Sequence, residues 1–521
     1  MNLTTALRAD SRAWRVVALV IALIALAAII STYRVFNNMY DEPAHIAAGM
    51  EWLSRGTFTY EPQHPPFSRI AAAIGPYIAG ERGTGYPHMY TEGRLILGSG
   101  EHYRRILMLA RLGMLPFFLV LVFTTWYWAR RVADERTAAF AVLFVATNPN
   151  LLAHAGVAGT DIGPAAMMPA ALLVWIMWLE QPTTKRSLVL GLVVALCGLT
   201  KFNAVAYWLP AAIAVALVIV FTTRRDLLWI GGLKLARPLG LAVLVAALVT
   251  WAMYRFSVGK VGGPTLPAPE FFTGLGAFFR HGTGGHPAYL FGRVKLGGWW
   301  YYDLIVALVK TPLPLLLLGG LGVRLALDTR RPESVGLLCG IGSVLLVASL
   351  TPVDIGVRLL LPMYPLLAVL AATAFVWAWE RARNTSTRFA VGALLAWTLL
   401  EPATAHPDYI AYFNQLAGPE PERVLVDSNL DWGQDLYRLR DATRELHMDS
   451  LRVHYFGTAE FSAVGLERAR RLRPNERTTG WVAASETFYA GVWADSALHW
   501  LHAYQPVARV GRSIRLYYIK P

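Results

Sequence analysis

Asp41-Glu42-Pro43-Ala44-His45, followed by His64-Pro65-Pro66-Phe67-Ser68-Arg69, is the stretch that decides how this chain is read. It holds two adjacent carboxylates, two histidines and a cation, and it follows the first long apolar run, residues 14–32. A run of that length spans a bilayer at about 1.5 Å of rise per residue. A cleaved signal peptide is the competing reading, because Arg residues precede the run and Ala-rich sites lie within it. The run exceeds a usual signal core, so a retained helix is expected. In both readings the acidic stretch lies outside the cytoplasm. The expectation is a membrane scaffold holding this loop over a cleft at the bilayer surface.

Composition agrees with that scaffold. Of 521 residues, 55% are hydrophobic, only 16% are charged and 18 are Trp. Soluble domains carry about 25% charged residues, so a polytopic membrane protein is indicated. Cys197 and Cys339 both lie in apolar runs, which excludes a disulfide framework or a zinc cluster built on cysteine. The formal net charge is +14. A basic balance indicates nucleic acid only where the charge gathers on a soluble face. Here it falls in Arg8/Arg12/Arg15, Arg130/Arg131/Arg136, Lys185/Arg186, Arg224/Arg225/Lys234/Arg237, Arg324/Arg330/Arg331 and Arg381/Arg383/Arg388, in every second segment between apolar runs. That alternation is the positive-inside pattern, and it sets orientation rather than nucleic-acid binding.

Further spans are expected at 106–128, 137–153, 163–179, 187–200, 203–222, 238–256, 303–323, 334–351, 357–379 and 388–403, about eleven helices in all. Residues 33–105 form the first extracytoplasmic loop, part of it an amphipathic helix in the interface. Residues 257–302 form the second. Asp161, Lys201, Asp354, Arg358 and everything after 403 then face the same side as Asp41. No internal repeat is seen, which removes part of the support for a secondary transporter. After about residue 404 the pattern changes. Residues 424–426, 451–456, 481–483 and 514–519 read as strands, 433–446 and 497–504 as helices. The chain is therefore expected to be a polytopic α-helical membrane protein, 1–403, with a soluble α/β domain, 404–521.

Several residues can carry chemistry. Adjacent carboxylates such as Asp41 and Glu42 repel each other and are poorly solvated near a low-dielectric boundary, which suits a general base. The competing reading makes Asp41 an N-cap with Pro43 in the first turn. Asp161, in Gly159-Thr160-Asp161-Ile162-Gly163-Pro164, also reads as a cap, or as a second acid closing the same cleft. Lys201 and Arg358 interrupt apolar sequence. Snorkelling explains a lone cation at a helix end, but an intramembrane charge usually has a polar partner. With Arg69, they are candidates for gripping a phosphate. His45, one turn after Asp41, and His64, in the His-Pro-Pro turn, could orient substrate. Asp427-Ser428-Asn429-Leu430-Asp431 fails as a calcium loop, since Trp432 and Arg438 stand where Gly and Glu are needed. It reads instead as a strand–turn–helix corner capped near Asp431.

Taken together, these motifs resemble the GT-C superfamily of membrane glycosyltransferases, on the branch of protein O-mannosyltransferases and aminoarabinose transferases. The resemblance rests on the Asp-Glu pair, His64-Pro65-Pro66-Phe67-Ser68-Arg69, Gly159-Thr160-Asp161 and Gly198-Leu199-Thr200-Lys201. It continues in Lys310-Thr311-Pro312-Leu313-Pro314 and Gly356-Val357-Arg358 with Leu361-Pro362-Met363-Tyr364-Pro365. His406-Pro407-Asp408-Tyr409, Phe413-Asn414 and 427–436 are similar to bacterial members with a C-terminal domain. Arg69 and Ser68 stand where the motif often has Lys and Gly. The short 257–302 loop lacks the long central domain of eukaryotic protein mannosyltransferases, so protein O-mannosylation is not implied.

The resemblance implies inverting sugar transfer from a polyprenyl-phosphate carrier to an acceptor hydroxyl on a protein, glycan or lipid, outside the cytoplasm. Asp41 would be the base, Glu42 and Asp161 would frame the site, and Arg69, Lys201 and Arg358 would meet the carrier phosphate. No cofactor is expected, with a divalent metal left as the alternative. The implied location is a bacterial inner membrane, with the N-terminus cytoplasmic and residues 404–521 extracytoplasmic. The rival function is a carrier or flippase for lipid-linked sugars without transfer chemistry.

Overall fold

The computed structural model describes residues 11–222, 232–329, 331–493 and 495–521. Arg8, Arg224, Arg225 and Arg330 of the basic clusters lie outside the described residues, as does the side chain of Lys234. Every expected span is helical in whole or in part. Among the described residues seven helices are long and apolar enough to cross a membrane: Ser11–Arg34, Gly100–Val132, Ile162–Glu180, Phe202–Thr222, Leu235–Met253, Pro332–Leu350 and Met363–Arg381. Two helix pairs qualify together but bend, Glu135–Ala146 with Pro149–Ala155 by 68° and Tyr302–Lys310 with Leu313–Leu327 by 114°.

The bends have local causes. Pro149 begins the second helix of its pair, and Asn148 caps it by accepting the Asn150 and Leu151 N–H groups. Pro312 ends the helix before it in the other pair, since proline disfavours helical geometry in its predecessor. Length and apolarity therefore support seven to nine spans. Eleven is reached only with Thr184–Thr200, which has 17 residues and opens on Lys185 and Arg186, and Thr385–Ala405, which carries Arg388 and Glu401.

The basic clusters meet at one end of the bundle. Arg15 pairs with Glu135 at 2.9 Å, Arg131 with Glu333 at 2.8 Å and also with Glu180, Arg136 with Glu380, and Arg186 with Glu180 at 3.7 Å. These contacts join helix ends that the alternation places on one side.

At the other end, residues 33–105 fold into helices Glu42–Arg55, Pro66–Ile78 and Met89–Leu97 before the next span. The helix expected to lie in the interface is Glu42–Arg55, but residues 42–51 are buried within the protein. It packs tightly on Pro66–Ile78, where a Cβ at Gly49 would lie 2.0 Å from the Arg69 carbonyl oxygen. Residues 257–302 form two hairpins, β1 (Val258–Lys260) with β2 (Thr265–Pro267) and β3 (Pro287–Leu290) with β4 (Arg293–Leu296), around a helix Pro269–Gly284.

The C-terminal part contains a five-stranded sheet in the order β6-β5-β7-β9-β8, comprising β5 (Leu451–His454), β6 (Ala469–Arg471), β7 (Gly480–Ser485), β8 (Ala508–Val510) and β9 (Ile514–Ile519). β5 runs parallel to β6 and β7, while β9 is antiparallel to β7 and β8. The expected strand at 424–426 is not one. It lies between two short 3-10 turns, Pro421–Arg423 and Asp427–Asn429, with Leu425 and Val426 buried. β6 and β8 escaped the pattern because they are three-residue edge strands carrying exposed Arg. Residues 495–503 form a 3-10 helix rather than an α-helix.

This part is tied into the membrane helices. Lys310 is fully buried and donates its Nζ to the carbonyls of Ile410 at 2.8 Å and Asn429 at 2.7 Å. Asn37 Nδ2 donates to Gly433 O at 2.7 Å, and Leu436 N–H returns a bond to Asn37 Oδ1 at 2.8 Å. Asp431 does not cap the helix Leu436–Glu445. It is buried in the corner and accepts N–H bonds from Gly433 at 3.2 Å and Thr487 at 3.0 Å. Burial pushes its carboxyl up to about 8. A raised folded value means the native state holds the proton longer, so stability is lost as pH rises from the ordinary carboxylate range towards 8. Asp431→Asn is expected to flatten that fall in melting temperature between about pH 5 and 9. Thermal unfolding of both proteins across that range is the check.

Candidate active site

Two acids, a lysine and an arginine from four separate elements come together in an ion-pair chain. Asp41 and Asp161 stand at the first turns of Glu42–Arg55 and Ile162–Glu180, yet neither carboxylate accepts a capping bond from its helix. The cap reading of both residues therefore fails, and their oxygens point elsewhere. Lys201 Nζ donates to Asp161 Oδ1 at 2.7 Å, Arg358 Nε to Asp161 Oδ2 at 2.9 Å, and Arg358 Nη1 to Asp41 Oδ2 at 3.2 Å. Burial would raise the Asp161 carboxyl, but Arg358 and Lys201 hold it well below the usual range.

Local structure aims each group. Lys201 is the extended residue between the helices Thr184–Thr200 and Phe202–Thr222, at φ −167° and ψ 139°. Arg358 sits in the 3-10 turn Val357–Leu359, entered through Gly356 at φ 89°, which favours glycine. A Cβ on Gly356 would meet the Asn429 amide at 2.3 Å, and Asn429 Oδ1 accepts the Val357 N–H at 3.0 Å. The Arg358 guanidinium lies over Trp432, 4.4 Å from the ring centroid. Two residues of the C-terminal segment thus fix the arginine.

Asp41, Lys201 and Arg358 of this ion-pair chain line a cavity of ≈ 690 Å³ together with Tyr40, His45, His64 and Tyr90. Val347, Ala348 and Leu350 of the span Pro332–Leu350, with Ala206 and Tyr207, give it an apolar flank among the membrane helices. Phe278, His281 and His286 come from the 257–302 segment, and Asp427, Trp432, Phe456, Phe488 and Trp493 from the C-terminal part. Asp41 keeps 26% of its side chain exposed, and Tyr90 Oη approaches its Oδ1 at 3.4 Å.

Not every expected residue faces this space. Glu42 is fully buried and paired twice with Arg111, Nε to Oε1 at 2.9 Å and Nη2 to Oε2 at 2.8 Å. It also accepts the N–H groups of Met39 at 2.7 Å and Ala158 at 2.8 Å. Glu42 is therefore a brace joining the Asp41 turn to the loop before Asp161. Arg69 is fully buried, pairs with Glu61 and donates to the carbonyls of Tyr60 and Glu61 at 3.0 Å each. It shapes the loop 60–64 and does not line the cavity, because that loop folds back over it. His45 and His64 stack edge to face at 5.5 Å, and their Nδ1 atoms have no partner. Burial and then Arg69 push both imidazoles down, so they are neutral near pH 7. His45 makes no side-chain bond to Asp41; it presents its ring to His64 instead.

Arg111 is the site residue that sequence reading missed. It interrupts an apolar run just as Lys201 does, but it lies inside an expected span and was absorbed into it. His154, whose Nδ1 is 3.7 Å from Asp161 Oδ2, was also missed; it directly follows the expected span 137–153. Among the described residues no three His, Cys, Asp or Glu side chains form a metal-holding group.

This architecture, apolar helices carrying a charged cavity lined in part by a small α/β part, shares its fold with a solved structure over nearly the whole chain. The particular likeness is to the crystal structure of ArnT, an aminoarabinose transferase of Cupriavidus metallidurans, bound to undecaprenyl phosphate. The TM-score is 0.54 at 15% identity, over 96% of this chain and 97% of that one. The apo form of that protein gives 0.49 at 16% identity, over 96% of this chain and 97% of that one. The oligosaccharyltransferase of Archaeoglobus fulgidus gives 0.49 at 14%, over 95% of this chain and 72% of that one. A scan of family models and a search of curated proteins return no match.

Proposed function

We propose that this protein is an inverting membrane glycosyltransferase that moves a sugar from a polyprenyl-phosphate carrier to an acceptor hydroxyl outside the cytoplasm. The observation that carries the proposal is the Asp41–Arg358–Asp161–Lys201 chain on a cavity that is apolar towards the membrane helices. Asp161 anchors both cations from behind, which leaves their outer faces to a phosphate. An arriving phosphate competes with Asp41 for Arg358 and releases the carboxylate. The acceptor oxygen then attacks the anomeric carbon opposite the phosphate, and its proton passes to Asp41. The carbon–oxygen bond to phosphate breaks, and its electron pair remains on the phosphate oxygen beside Arg358 and Lys201. The cations would neutralise that charge without a divalent metal.

The carrier's presence in the bilayer fits a charged pocket bordered by apolar helices, and the clustered arginines at the opposite end fit a cytoplasmic end in a bacterial inner membrane. Residues 404–521 would then be extracytoplasmic. The ion-pair chain by itself chooses neither between hexose and pentose nor among a protein, glycan or lipid acceptor.

A flippase for the same lipid is the second reading, because charges along a path can serve passage as well as chemistry. Proteoliposomes loaded with sugar-labelled polyprenyl phosphate separate the two. Transfer predicts that label leaves the carrier; label that crosses the bilayer while still attached contradicts it. Arg358→Lys keeps the charge but loses the two-pronged grip on phosphate. It is expected to weaken donor binding by about tenfold, the scale of one good charge-assisted hydrogen bond. Donor KM in the same vesicles reads it.

A further inference from the structure

The part of the cavity lined by His286, Asp427 and Trp493 has features that the chemistry above does not use. Asp427 and Trp493 both adopt left-handed backbone, at φ 58° and 65°. For a residue as bulky as tryptophan that conformation is an outlier, and such strain gathers at ligand sites. The two side chains meet there: Trp493 Nε1 approaches Asp427 Oδ2 at 3.4 Å, while Ser428 N–H donates to Asp427 Oδ1 at 2.5 Å. His286, from the 257–302 segment, packs edge to face on the Trp493 ring at 4.5 Å. It donates Nδ1–H to the Pro287 carbonyl at 3.0 Å, which leaves Nε2 as an acceptor. All three residues line the cavity, and Trp493 remains 50% exposed. Tyr40 and Asp41 line this cavity too, so the two acids, Asp41 and Asp427, face one space.

We propose that Asp427, His286 and Trp493 form the acceptor subsite and take a polyhydroxylated ring, its hydroxyls donating to Asp427 and His286 and its apolar face lying on the indole. The inference rests on the transferase reading for the word acceptor, while the ring-binding site itself does not depend on it. A carboxylate beside an indole could also attract an ammonium group. Arg358 in the same cavity opposes that, since a second cation would stand in its field. The location suits an acceptor. A ring held there shares the cavity with Asp41, so one of its hydroxyls can meet the base, with the donor phosphate at Arg358 and Lys201. The C-terminal part of the chain would then choose the acceptor, while the membrane helices hold the donor.

The test uses the full chain in nanodiscs and saturation-transfer NMR with three probes: methyl β-D-glucopyranoside, methyl β-D-xylopyranoside and tetramethylammonium. At least one pyranoside is expected to receive saturation on its ring protons from the wild type. Trp493→Ala and Asp427→Asn should each cut that signal by about threefold or more, the scale of one lost aromatic or hydrogen-bonding contact. Asp427→Asn keeps the acceptor for the Ser428 N–H, and the exposure of Trp493 lets it be removed without opening a core. Arg324→Gln, at the far end of the bundle, should leave the signal unchanged. Equal signals in wild type and both variants, no pyranoside signal at all, or saturation of tetramethylammonium alone would each overturn the proposal. Failure of the transferase reading would appear elsewhere, as wild-type protein that never releases labelled sugar from its carrier, whatever the pyranosides do.

Discussion

Asp41→Asn is expected to lower sugar transfer by about 10²–10⁴-fold, the usual contribution of a positioned general base. The substitution is nearly isosteric, and the Asp41 side chain makes no capping bond that asparagine would have to replace. Its bond to Arg358 at 3.2 Å is the contact that changes character, from an ion pair to a neutral acceptor. Donor binding should therefore persist or tighten, because the phosphate no longer competes with a carboxylate for Arg358. Initial transfer rates and donor KM in membrane vesicles separate these effects. A loss confined to kcat supports the base. Near-wild-type turnover would remove Asp41 from the chemistry.

Arg111→Met should be the most damaging change to stability outside the cavity. Arg111 and Glu42 are 1% and 0% exposed and pair in two-pronged geometry. Removing one partner of such a pair strands a buried charge and costs about 3–5 kcal/mol. The loss should be large here because Glu42 also holds the Met39 and Ala158 N–H groups. Arg111 itself donates to the carbonyls of Phe36 at 3.1 Å and Asn37 at 2.8 Å. Adding Glu42→Gln should recover part of the loss, since the stranded charge is then gone. Melting temperatures of the two single variants and the double variant in detergent form the required cycle. An unchanged melting temperature in Arg111→Met would show that the brace is not needed.

The site was legible where charge interrupts apolar sequence. Asp41, Asp161, Lys201 and Arg358 announce themselves this way, and the structure joins all four in one ion-pair chain, with Asp41, Lys201 and Arg358 lining the cavity. The same signal also marks Glu42, Arg69 and Arg111, which are braces. A charge in hydrocarbon must have a partner, and sequence shows the need without showing whether protein or substrate fills it. Arg69 illustrates this: Glu61, eight residues earlier, satisfies it, and nothing in the spacing distinguishes Glu61 from the other loop acids. The cap readings failed for a related reason. Position at a helix start is visible in sequence, but the direction of the carboxylate depends on cations from elements distant in the chain.

The part of the cavity lined by loop residues was less legible still. Asp427, His286 and Trp493 are ordinary loop residues until the sheet and the hairpins place them together. The helix expected at the interface is buried because Pro66–Ile78 and Met89–Leu97 of the same loop pack on it, a docking that its own periodicity does not show. Periodicity fixed the type of the long elements, whereas three-residue edge strands such as β6 and β8 carry too little pattern to be seen.

The most direct test of the account is an experimental structure of the full chain with undecaprenyl phosphate. The account predicts the phosphate within hydrogen-bonding distance of Arg358 and Lys201, Asp41 withdrawn from Arg358, and Asp161 still bound to both cations. A phosphate held at Arg69 or outside the cavity, with the Asp41–Arg358 pair intact, would contradict it.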